Sequence, residues 1–293
     1  MTISTEIQAL IALLDDSDPE VFDHVAARLL SYGPMVIDQL EDAYTSIPNP
    51  VMQERIEDII HQIQFSSVLQ DLRSWANQEH GDLLTGWLII TRHQYPELDE
   101  DAIRTNIARI HKDIWIGINT YLSPLEQMNV VNQSVFSQYG FTTLQQQDDE
   151  QRFAYINNML DAFKGNHFAI GLLYLTLCQQ LDLPVYGVCL RTHLILARTK
   201  DYVTDFSQIR ENRQDILFYI NPYNKGLAFG EREIQTYVKR MQLNEDEKYF
   251  IPASNKVILA EYARHLMSFI NKPADQYKKD DLQTLVDILT AES

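Results

Sequence analysis

The sequence predicts a mostly helical α+β protein: an all-α N-terminal domain, a compact core built on a small antiparallel sheet, and C-terminal helices. Apolar residues recur at helical spacing through roughly the first 120 positions, punctuated by Gly and Pro. Three runs rich in Val, Ile, Leu and aromatics, VYGVCLR, HLILAR and ILFYIN, cluster between residues 185 and 221 and read as strands. From Glu231 onward the pattern returns to helix. The expected boundaries are 1–120, 121–240 and 241–293.

In chain order, DSDPEVFDHVAARLLSYG opens with acidic capping residues and Pro19, then places Val21, Val25 and Leu29 on one face. Gly33 stops that helix and Pro34 starts PMVIDQLEDAY. Pro48 and Pro50 then precede VMQERIEDIIHQIQ. Two short helices around such a turn resemble a HEAT-type hairpin. FSSVLQDLRSWANQ, DLLTGWLIITRHQ and a long segment from Asp99 through Tyr121 continue the helical pattern. In SPLEQMNVVNQSVFS, Ser123, Pro124 and Glu126 form a capping-box arrangement. YGFTTLQQQDDEQR is polar and aperiodic, hence a surface loop.

AYINNMLDAFKG is a short helix, and residues 166–181 form a long apolar one closed by Leu183–Pro184. The three strand runs follow, with polar residues 200–215 between the second and third and NPYNKG as a tight turn after them. KVILAEYARHLMSFIN and KDDLQTLVDIL close the chain.

At 293 residues, 45% hydrophobic and 22% charged, the chain can bury a substantial core. A net charge of −17 argues against neutralising nucleic-acid phosphates and against docking on anionic lipid. The longest apolar run, Phe168 to Cys178, is broken by Gly171 and Thr176 and falls short of a membrane span. The N-terminal MTISTEIQALIALLDD lacks the pattern of a signal peptide, and Cys178 and Cys189 are too few for a disulfide framework. A cytoplasmic location is the expectation.

YINNMLDAFKGNHFAIGLLYLTLCQQLDLPVYGV, THLILAR and FYINPYNKG occur in an order and spacing that carry a resemblance. On them, residues 120–240 resemble the transglutaminase-like superfamily, specifically its bacterial invasion-regulator-type branch. There, a helical region precedes a transglutaminase-like (papain-like) core and helical material follows it. The resemblance implies a triad: a Cys at the start of the central helix, a His on the next strand and an Asp on the strand after. The helix N-terminus lowers the thiol pKa, the His moves the proton and the carboxylate fixes its tautomer. Counting back from Leu183–Pro184 puts the cysteine position on His167, to within a residue; the resemblance puts the base at His193 and the third position at Asn221. The triad is therefore read as vestigial, its nucleophile replaced by His167. The amide alone would be tolerable, since Cys–His–Asn triads exist.

Other readings stand beside this one. By alternation Cys189 shares a strand face with His193, but about 13 Å of extended strand separates them, so only a tight turn at 190–192 would bring them together. Cys178 reads as a core thiol. His167, His193 and Asn221 are a poor metal set, because zinc favours anionic or further imidazole ligands over an amide, so neither metal nor cofactor is expected. The plainest reading makes His167 a helix cap and His193 a structural residue. His24, His61, His80, His93, His111 and His265 form no cluster in sequence and read as surface or boundary residues, and Trp75, Trp87 and Trp115 as core. The expected function is a non-enzymatic regulatory or interaction module with a protein or peptide partner. The alternatives are a hydrolase or acyltransferase using Cys189 with His193, and a small-ligand or peptide binder in the vestigial cleft.

Overall fold

The computed structural model describes residues 3–16, 18–78, 81–190, 193–203, 213–240, 242 and 249–291. His80, the turn at 191–192 and much of the polar stretch 200–215 lie outside them. The chain divides into two compact units, residues 1–71 and 72–293. The helices read from sequence between 72 and 120 belong to the second.

The first unit holds α1 (Ile3–Leu13), α2 (Pro19–Tyr32), α3 (Ile37–Ser46) and most of α4 (Pro50–Ala76). Asp18 caps α2 by accepting from the Glu20 amide, with Pro19 as first helical residue. The apolar stripes meet in one core of Ile7, Leu14, Leu29, Leu40, Ile56 and neighbours. Arg55 closes the α1–α2 corner by donating to the carbonyls of Leu14 at 2.6 Å and Asp16 at 3.0 Å, while its guanidinium lies over the Phe22 ring. This supplies acceptors' partners at a helix end that would otherwise be unsatisfied.

In the second unit, Asp82 caps α5 (Leu83–Gln94) and Asp99 caps α6 (Glu100–Gly117), so α6 ends short of Tyr121. The expected capping box opens α7 (Pro124–Asn132), and the chain continues as a π-helix through Gln133–Gln138. The polar stretch after it contains a two-residue strand, β1 (Thr142–Thr143). It pairs in parallel with β2 (Lys164–Gly165), which follows α8 (Ile156–Ala162). A run this short and polar has no period to detect. Trp75 and Trp87 are core residues as expected, but Trp115, near the end of α6, is 65% exposed.

Every residue from Phe168 to Cys178 in α9 (His167–Gln180) is buried, which explains its apolar composition on all sides. After it come β3 (Val185–Leu190), β4 (His193–Thr199), β5 (Ile216–Asn221) and β6 (Leu227–Phe229). They form a four-stranded antiparallel meander in that order. Three further helices complete the unit: α10 (Glu231–Arg240), α11 (Asn255–Met267) and α12 (Gln276–Thr290). One sheet face packs on α9 and α11. At Gly187 a Cβ would sit 2.5 Å from Ile258 and 3.2 Å from Leu175, so only glycine lets both helices approach. The other face, with Val188, Leu190, Ile195 and Tyr219, is covered by Ile234 and Val238 of α10 and by Phe250. α12 packs along α11. The protein is thus mostly helical with a small antiparallel sheet, as the sequence predicts. Among the described residues, no helix is long and apolar enough to cross a membrane.

Candidate functional site

The start of α9 is built by Asn166. Its side-chain oxygen accepts from the Ala169 amide at 2.9 Å, and its amide group donates to His265 Nε2 on α11 at 2.8 Å. The helix cap is therefore Asn166, and His167 is the first helical residue. His265 departs from its reading as an isolated boundary residue. It is packed against Phe168 and Phe269, and it senses the charges of His167 and His193. Burial first, then those two imidazoles, push its pKa down to about 4.

The His167 ring lies between His193 and Tyr223, with centroid separations of 4.4 and 4.0 Å. Burial lowers its pKa, so the ring is favoured neutral, and Glu150 faces its Nε2 at 3.9 Å. The other ring nitrogen, Nδ1, is buried and has no hydrogen-bond partner.

His193 is the first residue of β4 and meets the Tyr237 hydroxyl of α10 through Nδ1 at 3.3 Å. Burial, then the neighbouring His167, push its pKa down to about 4, against a smaller opposing pull from Glu150. Asn221 ends β5, and its side-chain oxygen accepts from the Asn224 amide at 3.2 Å while its carbonyl accepts from Gly226 N at 2.9 Å. That use of the side chain holds the turn and asks only for an acceptor, so an amide serves as well as a carboxylate. Gly226 has φ +70°, and a Cβ there would lie 1.7 Å from the Asn132 side-chain oxygen. Asn132 in turn accepts from the Tyr174 hydroxyl of α9 at 2.8 Å and donates to the Gly226 carbonyl at 3.1 Å. The turn bearing Asn221 and Tyr223 is thereby tied to α7 and α9.

The structure thus brings the three residues singled out in sequence, His167, His193 and Asn221, to one cleft of about 260 Å³. Tyr223, Tyr237, Leu227, Phe229 and Glu233 share its wall. Tyr223, Tyr237 and His265 were not anticipated, since they sit on separate loops and helices with no motif spacing; Glu150 belongs to the acidic stretch 148–150 that the sequence places next to the cleft entrance. Tyr223 lay within reach, inside the quoted NPYNKG turn.

Neither cysteine reaches the cleft. Register pairs Leu190 with His193 and Cys189 with Leu194, which puts Cys189 on the sheet face opposite His193. The same-face reading fails because the chain reverses between the strands, so the faces are set by the pairing: Cys189 is one residue away from Leu190, the partner of His193, and therefore points to the other face. The Cys189 thiol is pushed up to about 12, by burial and by Glu261, with Arg264 opposing. Cys178 is fully buried and pushed still higher by burial. Among the described residues, no group of three or more His, Cys, Asp or Glu is arranged to hold a metal ion.

Two curated relatives, both named "UPF0162 protein" and from Xylella fastidiosa strains 9a5c and Temecula1, are 22% identical to this chain over 193 residues. The alignment covers 64% of this chain and 64% of each relative, so the chain spans less than two thirds of their length. No solved structure matches it. The family model described as "Transglutaminase-like superfamily" matches residues 101–264, a stretch that contains His167, His193, Asn221, Tyr223 and Tyr237. That is more than half of the chain, and the protein belongs to the transglutaminase-like superfamily.

Proposed function

We propose that this protein is a catalytically silent member of the superfamily, of the bacterial invasion-regulator-type branch, that acts by binding and not by acyl transfer. In this reading His193 and Asn221 are vestigial triad positions and His167 stands where a nucleophilic thiol would be. The domain division expected from sequence, a HEAT-like helical part through residue 120, a core to 240 and terminal helices, belongs to the same reading. The working role is a cytoplasmic regulatory or interaction module whose cleft takes a ligand or a peptide segment. Two free cysteines suit a reducing compartment.

One observation carries the proposal. The positively polarised start of α9 faces His193 with an imidazole instead of sulfur, and both thiols of the chain are held away from it. A thiol held near pKa 12 presents about one part in 10⁵ as thiolate at neutral pH, so Cys189 is no substitute nucleophile. Iodoacetamide at pH 7 followed by mass spectrometry tests this. Both cysteines should stay unmodified in native protein and react after unfolding in urea. Rapid alkylation of a native cysteine, or an acyl adduct trapped on one during incubation with amide or ester substrates, would overturn the proposal.

A further inference from the structure

We propose that the outer edge of β6 pairs with an extended segment of a partner polypeptide, one with apolar residues at alternate positions and basic flanks, which lays a side chain into the cleft beside His193. The inference rests on the reading of the cleft as a binding site and names what occupies it.

The sheet runs β3, β4, β5, β6, so β3 and β6 are its edges. A strand edge presents backbone donors and acceptors ready to pair with another chain. At β3 the protein covers its own edge, where Ala253 N donates to the Gly187 carbonyl at 2.8 Å. Among the described residues, no backbone group bonds to the outer side of β6. Nor does Leu227-Ala228-Phe229 carry the lysine, proline or bulge that keeps foreign strands off an edge.

Which groups are open follows from Pro222. Along an antiparallel pair, facing residues alternate between those that exchange both backbone bonds and those that exchange none. Register pairs Asn221 with Leu227, Ile220 with Ala228 and Tyr219 with Phe229. Were Ile220 and Ala228 a bonded pair, the next would be Pro222 with Gly226. Proline has no N–H, and Gly226 N donates to the Asn221 carbonyl instead, at 2.9 Å. The bonded pairs are therefore Asn221–Leu227 and Tyr219–Phe229. The N–H and C=O of Ala228 point away from β5, to the open edge.

The same alternation aims the incoming side chains. A residue that exchanges both bonds with Ala228 has its two neighbours opposite Leu227 and Phe229. Those are non-bonded positions, where Cα atoms approach to about 4.5 Å and side chains pack. Leu227 and Phe229 share the sheet face of Tyr219, the face that carries the cleft and α10. Partner residues at spacing two thus turn toward the cleft, and the one between them turns away. Leu227, 55% exposed, offers the apolar contact at its mouth. The cleft holds about 260 Å³, and a dry cavity of about 150 Å³ accepts benzene, so one aromatic side chain fits inside. An extended backbone meets both demands at once, bonds to the edge and side chains of period two. The net charge of −17 draws a basic segment.

The test uses the full chain and fluorescently labelled peptides, with affinities from anisotropy titrations. The parent peptide is Lys-Lys-Phe-Thr-Phe-Lys-Lys with blocked ends. It should bind more tightly than Lys-Lys-Thr-Phe-Thr-Lys-Lys, which puts its one ring between the two cleft-facing positions, and than a parent with Glu in place of Lys. N-methylation at the central Thr removes the donor to Ala228 and should weaken binding about 5- to 10-fold, the worth of one net hydrogen bond. N-methylation at the first Phe, whose N–H points away from β6, should change it less than about 2-fold. Ala228→Pro removes an N–H that the sheet does not use, so the circular dichroism melt should be retained while parent binding falls at least 10-fold. Leu227→Ala leaves the backbone untouched and should also weaken the parent several-fold. Equal effects of the two N-methyl groups, equal affinity for the two ring patterns, full binding by Ala228→Pro, or no binding of the parent would overturn the inference. So would a dimer in sedimentation that Ala228→Pro dissociates, because the edge would then belong to a second copy. None of these outcomes involves a thiol adduct, so this partner class and the catalytically silent reading fail on separate measurements.

Discussion

Gly226→Ala should be one of the most damaging single-atom-group additions in the protein, and its cost can be assembled from the structure. The residue has φ +70°, a region that costs a non-glycine residue about 1–2 kcal/mol. The new methyl would lie 1.7 Å from the Asn132 oxygen, so Asn132 must move. Moving it sacrifices the bonds to Tyr174 and to the Gly226 carbonyl, each worth about 1 kcal/mol net. The sum is about 3–4 kcal/mol. Asn132→Ala removes the obstacle at the cost of the two bonds, about 2 kcal/mol. In that background Gly226→Ala should cost only the backbone share of about 1–2 kcal/mol, which makes the pair strongly coupled. Urea unfolding followed by tryptophan fluorescence reads the right part of the chain, because Trp75, Trp87 and Trp115 all lie in the 72–293 unit. The same cost in both backgrounds, or less than about 1 kcal/mol in the unaltered protein, would refute the steric argument.

His265 has its pKa lowered from 6.5 to about 4, so the fold favours its neutral form. Its contribution is complete above about pH 6.5 and is lost as pH falls toward 4, by about 1–3 kcal/mol. His265→Gln keeps an acceptor for Asn166 but does not titrate, and should make the stability profile shallower across that window in denaturant melts at stepped pH, without flattening it, because His193 and His167 lose stability over the same range. Asn166→Ala removes the α9 cap and the His265 bond together and should cost about 2 kcal/mol by urea unfolding. Asn221→Asp keeps an acceptor for the Asn224 amide, so stability should change by less than about 0.5 kcal/mol. Mass spectrometry after incubation with ester substrates should still show no acyl-enzyme, since the carboxylate does not restore a nucleophile.

The core elements were legible because their signals are local. β5 spans the ILFYIN run, and Ser123 with Glu126 caps α7 as the spacing implies. His167, His193 and Asn221 converge because the order helix, strand, strand determines which element ends meet. What escaped depends on distant contacts. Tyr237 reaches His193 across 44 residues and His265 reaches Asn166 across 99, and neither separation leaves a period to read. The Cys189 face was misjudged because counting along one strand ignores the reversal that follows it. β6 escaped because three residues after a Gly-containing turn carry too little alternation. Trp115 lies on a periodic helix, but a hydrophobic residue there shows only which side it occupies, and that side meets solvent.

The tether from His265 to Asn166 bears on where the chain can be cut. The family match stops at residue 264, one position before the imidazole that holds the cap of α9. A shortened chain ending there would forfeit that imidazole, the Phe269 ring beside it and all of α12, which buttresses α11 against the sheet. The last thirty or so residues therefore hold in place the helix start that carries His167, and removing them as dispensable trailing sequence would loosen one edge of the cleft from outside its lining.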